Sequence, residues 1–196
     1  MATAACDQVA ERGIALPLLL YQNRNLMAFV SEVVIERVLD TLATTPPDRY
    51  EVLVVSFAEA QPVLAGWLVS DSFDILTEAE REYLLYLALI VWKAALEAQE
   101  VLPRVDEARI SELEEHNWTI LNSTQGKTFR DRLTPFFEAY PQEDLLAFVE
   151  DALAIDEFSE QEELPEQVVT REGREPLFIG LKTMIDALLV APPTKG

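Results

Sequence analysis

The chain has 196 residues, which favours one domain and is long enough to bury a hydrophobic core. Asp and Glu outnumber Lys and Arg by 35 to 15, giving a formal net charge of −20. Because such a surface repels nucleic-acid phosphates and anionic lipid headgroups, we expect no nucleic-acid partner and no membrane partner.

The N-terminal part of the chain bears on where the protein resides. Cys6 is the single cysteine, so no internal disulfide can form, which fits a reducing compartment. The apolar run at residues 14–20 has the length of a signal-peptide core, but acidic residues precede it and no small-residue cleavage site follows. We expect this run to pack in the core and the protein to be cytoplasmic.

The first predicted helix begins at a cap provided by Asn23 or Asn25 and extends for about 18 residues. Apolar residues recur along it at steps of three and four, which indicates one buried face. That predicted face consists of Leu26, Phe29, Val30, Val33, Val34, Val38 and Leu42. A second helix is predicted after it, with Thr45 as cap and Pro46 at the first helical position.

The segment from Tyr50 to Phe57 is rich in β-branched residues and is compatible with a strand or a helix. We predict a helix, because residues 58–60 continue the pattern and the chain offers no second strand-like run for pairing. A short helix is predicted to open at Pro62 and to continue through Trp67.

The clearest helix start is the capping-box pattern formed by Thr77 and Glu80. The helix that it opens extends to about Gln99 and is apolar nearly all round between Tyr83 and Ala95. A helix without a polar face must be covered on several sides, so residues 77–99 are predicted to form the central helix.

Four further helices are predicted, at about residues 105–122, at 128–137, after Pro141 and at about 174–190. The sequence therefore predicts an all-α, single-domain bundle of about six to eight helices. Residues 1–155 form its helical domain, and 156–173 form an acidic loop or partly disordered connector. The C-terminal helix at 174–190 packs on the domain, and residues 191–196 form a frayed tail.

Two short patterns resemble functional motifs but lack essential parts. Residues 126–128 match the Gly-Lys-Thr end of a P-loop, yet Leu121 occupies the position of its first glycine. His116 is the single histidine and has Glu112 four residues before it, which is too few ligands for a catalytic zinc site. We therefore predict no catalytic residue, no metal ligand and no cofactor.

The most distinctive feature is an acidic segment. From Leu133 to Thr170 the chain contains 11 carboxylates and neither Lys nor Arg. The favoured function is a non-enzymatic interaction module, such as an adaptor, chaperone or inhibitor, that binds a basic protein partner. The alternative is a small enzyme with a carboxylate-based or metal-assisted site. The predicted partner-binding residues are Glu143, Asp144, Glu150, Asp151, Asp156, Phe158, Glu160, Glu162, Glu163 and Glu166.

Overall fold

The fold is known from a computed structural model, which describes residues 28–154 and 168–190. Within these ranges the secondary structure is entirely helical, so the predicted all-α class and the helix at residues 50–57 are confirmed. A 3₁₀ turn at Asp71–Phe73 supplements eight α-helices. The helices are α1 (Glu32–Ala43), α2 (Pro47–Ala60), α3 (Pro62–Leu68), α4 (Glu78–Ala98), α5 (Glu107–Ser123), α6 (Phe129–Phe137), α7 (Glu143–Ala152) and α8 (Arg174–Leu189).

Two capping boxes fix helix starts. At α4, the Thr77 hydroxyl accepts a hydrogen bond from the Glu80 amide at 3.2 Å, and the Glu80 carboxylate accepts one from the Thr77 amide at 2.8 Å. This is the predicted box. At α6, Thr128 and Asp131 form the same reciprocal pair. The residues that resemble the end of a P-loop are therefore a turn and a helix cap.

The core is organised around two helices. α4 is buried along most of its second half, in agreement with its predicted central place. α8 is more buried still, since every residue from Pro176 to Leu189 is buried. It packs against α4, α5 and α7, while α1 lies on α4. The C-terminal helix was predicted to pack on the domain through its apolar face. In the structure it is buried on all sides from Pro176 to Leu189.

The first helix differs from its prediction. α1 begins at Glu32 after Ser31, and residues 28–30 are not helical. Two members of the predicted core face, Phe29 and Val33, are 48% and 62% exposed, whereas Ile35 is buried. Residues 28–30 instead bind the side chain of Gln142, a tertiary contact that the local pattern does not encode.

Other boundaries shift slightly. The second helix has Pro46 at its cap and Pro47 at its first position, one residue later than predicted. Of the predicted acidic connector, residues 168–173 are described and contain a turn but no helix before Arg174. The predictions for residues 1–27, for the connector up to 167 and for the tail after 190 lie outside the described residues.

Gln142 precedes α7 and binds the entry segment of the bundle. Its side-chain amide donates to the Ala28 carbonyl at 3.0 Å and accepts from the Val30 amide at 3.0 Å. The two bonds join residues that are 114 and 112 positions apart in the chain. A single side chain thus satisfies backbone groups that a non-helical segment would otherwise leave unpaired.

Gln61, the residue before α3, repeats this arrangement with another non-helical segment. Its amide donates to the Pro103 carbonyl at 2.7 Å and accepts from the Val105 amide at 3.0 Å. Gln61 and Gln142 also share a backbone conformation, with φ and ψ of −133° and 61° against −123° and 50°. Both glutamines are almost completely buried.

Candidate functional site

The predicted acidic surface is only partly free in the described residues. Glu143 and Asp151 on α7 are exposed. Asp144 accepts a hydrogen bond from the Glu32 amide at 2.9 Å and so caps α1. Glu150 is buried and pairs with Arg130 at 3.2 Å; burial raises the pKa of Glu150, and Arg130 opposes that rise. The other predicted partner-binding residues lie outside the described residues, namely Asp156, Phe158, Glu160, Glu162, Glu163 and Glu166.

The structure shows a second surface, on α2, that the sequence did not single out. Phe57 is the one buried residue of this helix and packs against Trp92, with 5.3 Å between ring centroids. On the opposite side, Val52 and Val55 are 57% and 55% exposed. Because these valines are three residues apart on a helix, they lie on one face. We call this pair the valine face.

Acidic side chains surround the valine face. Asp48 and Glu59 stand four residues before Val52 and four after Val55, and Glu51 lies between them along the helix. All three are exposed, and none forms an ion pair with a described residue. Exposed Arg49, three residues before Val52, lies at the same margin, so the face offers apolar area bordered by three carboxylates and one cation.

A cleft of about 400 Å³ lies between α5, α6 and α8. Its apolar walls are Leu113, Ile120, Phe136 and Val190. Arg109, Glu112, His116 and Glu138 also line it. Its size falls within the range of small-molecule sites.

The floor of the cleft is a buried polar network centred on Asp186. This carboxylate accepts hydrogen bonds from Lys182 at 2.5 Å, from the Tyr140 hydroxyl at 2.8 Å and from the Asn117 amide at 3.1 Å. Asn117 also donates to Thr183 at 3.2 Å. The Lys182 ammonium lies 4.3 Å from the Tyr140 ring centroid, within cation–π distance.

Burial controls the acid–base behaviour of this floor. Burial lowers the pKa of Lys182, and the neighbouring Asp186 opposes part of that effect. For Tyr140, burial and the Asp186 charge both raise the pKa, well above the usual value of a phenol. The Tyr140 hydroxyl therefore stays protonated at neutral pH and serves as a hydrogen-bond donor to Asp186.

Asn117 is fully buried, yet its Oδ1 accepts no hydrogen bond from a described residue. A buried acceptor without a partner costs about 1–3 kcal/mol. Since Asn117 lines the cleft, the unmet acceptor belongs to the same part of the molecule as the polar floor.

The structure assigns His116 and Glu112 to the edge of this cleft, where both are exposed. Glu112 pairs with Arg109 at 3.4 Å. Among the described residues, no group of three or more His, Cys, Asp or Glu side chains is placed to hold a metal ion. Cys6 lies outside the described residues.

One feature of the sequence indicates the floor of the cleft. Lys182 and Asp186 are four residues apart within the apolar face of the last helix, where a charged pair is unusual unless it is buried and paired. Tyr140 and Asn117 carried no comparable signal, because only the fold brings them to Asp186.

Comparisons with protein families, with curated proteins and with solved structures find no match to this chain. Along the described part of the chain, no single helix is long and apolar enough to cross a bilayer. The pair Pro47–Ala60 and Pro62–Phe73 meets the same length and composition test jointly, but it is bent by 115°.

Proposed function

We propose that this protein is an interaction module that binds a basic protein partner, and that the valine face of α2 is the docking site. The observation that carries this proposal is the exposure of Val52 and Val55 within a rim of unpaired carboxylates. A partner segment that combines apolar side chains with Lys or Arg would complement both features.

The centre and the rim of a protein interface have different energetic roles. A small number of residues buried at the centre of an interface supplies most of its affinity, while charges at its rim set orientation and association rate. The two valines are the candidate anchors, and Asp48, Glu51 and Glu59 form the candidate rim. α2 presents these groups on a rigid helix held by Phe57 against Trp92.

The acidic run between Leu133 and Thr170 has a separate role in this proposal. Its 11 carboxylates contribute to a net charge of −20 and attract a basic partner over distance. In the described part of the run, Glu143 and Asp151 are the exposed carboxylates of α7. Such attraction accelerates encounter and weakens as salt rises.

The test compares the proteins that bind the wild type, a Val52→Ser/Val55→Ser double variant and a Val33→Ser control from native lysate at low and high salt. Val33 is the matched control because it is equally exposed but lies on α1. We expect to recover basic proteins that bind the wild type and the control but not the double variant. Their binding should be weaker at high salt. The strongest of these, once purified, should bind the double variant about tenfold or more weakly than the wild type. Identical recovery by the double variant and the control excludes the valine face.

A second variant separates steering from docking. Changing Glu160, Glu162, Glu163 and Glu166 to Gln should slow association with the purified partner at low salt and leave its dissociation rate unchanged. If association is unchanged, the acidic run has no steering role, and the docking proposal rests on the valine face alone.

A further inference from the structure

We propose that the cleft between α5, α6 and α8 binds a small organic amine, independently of the valine face. Binding here would give the protein a ligand site as well as a partner surface. The proposal rests on the buried floor of the cleft, on the unmet groups that line it and on its charge.

The floor is organised before any ligand binds. Asp186 holds Lys182, Tyr140 and Asn117 through three hydrogen bonds, and Asp186 and Lys182 are each 5% exposed. Ligand sites commonly combine apolar walls with a few convergent polar groups of this kind. Because the floor side chains are fixed by each other, a ligand would not have to order them.

Two acceptors in the lining lack a partner among the described residues, and His116 lies exposed at the edge of the cleft. Asn117 Oδ1 accepts no hydrogen bond from a described residue, and the Glu138 carboxylate forms no ion pair with one. Both lining cations are already engaged, Arg109 with Glu112 and Lys182 with Asp186. A ligand that pairs with these two acceptors must bring hydrogen-bond donors.

Charge selects a cation among such donors. Of the three carboxylates in the lining, Glu112 is paired with Arg109 and Asp186 with Lys182, so Glu138 is the one without an ion pair to a described residue. The net charge of −20 on the whole chain adds to the attraction. Leu113, Ile120 and Val190 favour an aliphatic body attached to the charged group. A primary alkylamine meets all three requirements.

The experiment uses titration calorimetry with three probes of matched length, n-pentylamine, pentan-1-ol and pentanoate. The proteins are the full-length wild type and its Glu138→Gln, Ile120→Trp and Glu82→Gln variants. Ile120→Trp fills the cleft, and Glu82→Gln is the control because Glu82 is an exposed carboxylate of α4 outside the cleft. Melting temperatures establish that each variant is folded.

We expect n-pentylamine to bind the wild type and the Glu82→Gln control equally and to bind more tightly than the other two probes. Glu138→Gln should weaken this binding about two- to fivefold, as expected for an exposed ion pair. Ile120→Trp should abolish it. The proposal is overturned if no probe binds, if the alcohol or the carboxylate binds as tightly as the amine, or if Glu138→Gln matches the control. If Ile120→Trp does not fold, the comparison of Glu138→Gln with Glu82→Gln still decides.

Discussion

The Glu80 carboxylate binds Thr170, 90 residues away in the chain, through two hydrogen bonds of 2.9 Å and 2.8 Å from the amide and the hydroxyl. Its other oxygen accepts two more, from the amide and hydroxyl of Thr77. One side chain therefore caps α4 and also fastens the segment that leads into α8. Glu80 therefore stabilises the tertiary structure as well as the start of a helix.

Glu80→Gln should destabilise the fold by about 2 kcal/mol at neutral pH, because the amide NH₂ cannot accept the bonds that one carboxylate oxygen accepts. Burial raises the pKa of Glu80, but the hydrogen bonds from Thr170 and Thr77 outweigh burial and hold it below its ordinary value of 4.5. The stabilisation is thus complete above pH 4.5 and is lost as pH falls through the lower pKa of the folded state.

Urea denaturation of the wild type and Glu80→Gln between pH 3 and pH 7 measures this difference. Glu78→Gln is the matched control, since Glu78 lies in the same helical turn but is exposed. A stability difference that stays constant down to pH 3 would show that the charge of Glu80 is unimportant.

Gly173→Ala should destabilise the fold by about 1–3 kcal/mol. A methyl group at this position would lie 1.9 Å from the nearer Glu80 carboxylate oxygen, and four hydrogen bonds prevent that carboxylate from moving freely. In a Glu80→Ala background the same substitution should cost much less. A double-mutant cycle measures this coupling, and additive effects would contradict the proposed clash.

Gly66→Ala is a control for Gly173→Ala, because the same substitution is expected to stabilise the fold at Gly66. Gly66 is exposed within α3, and a methyl group there meets no atom within 4 Å. Alanine should therefore stabilise the helix by about 0.5–1 kcal/mol. A loss of stability at Gly66 would mean that α3 makes contacts that the structure does not show.

Gln142→Ala should free residues 28–30 and destabilise the fold by about 2 kcal/mol, because two buried backbone groups lose their partner. Amide hydrogen exchange gives the most direct measurement, with the Val30 amide losing protection before the amides of α1. Gln125→Ala, at an exposed position between helices, should change neither property. Unchanged protection of Val30 would show that the entry segment is held by other contacts.

Ala139→Gly should stabilise the fold by about 1 kcal/mol. Ala139 has a φ of 52°, which is costly for a residue with a Cβ and free of that cost for glycine. Ala58→Gly, at an exposed position in the last turn of α2, should instead destabilise by up to about 0.5–1 kcal/mol. Thermal denaturation of both variants tests this contrast, and two losses of stability would refute the strain at Ala139.

The features that the sequence predicted are those that depend on neighbouring residues. The Thr77–Glu80 box spans four residues, and the apolar character of α4 and α8 is visible in each helix alone. Both follow from hydrogen-bonding and burial rules that act over one or two turns. The helix at residues 50–57 was also predicted from its immediate continuation.

The features that the sequence did not predict depend on distant partners. The segment before α1 binds Gln142, and the exposure of Val33 follows from the direction in which α1 packs. Likewise, the cleft joins Asn117 and Tyr140 to a pair on α8, and no local pattern encodes that meeting. Acidity alone suggested that α7 carries a partner-binding surface. In the structure, Asp144 accepts a hydrogen bond from the Glu32 amide and Glu150 pairs with Arg130.

The burial of α8 has a consequence for how the protein is made. The ribosome delivers the chain from its N-terminus, so residues 174–189 emerge after the seven other described helices. Until then, the apolar sides of α4 and α5 that α8 covers remain in contact with water. A nascent or truncated chain that stops before Arg174 would present that surface to chaperones and to other chains. A premature stop there should thus produce aggregation rather than a smaller working protein.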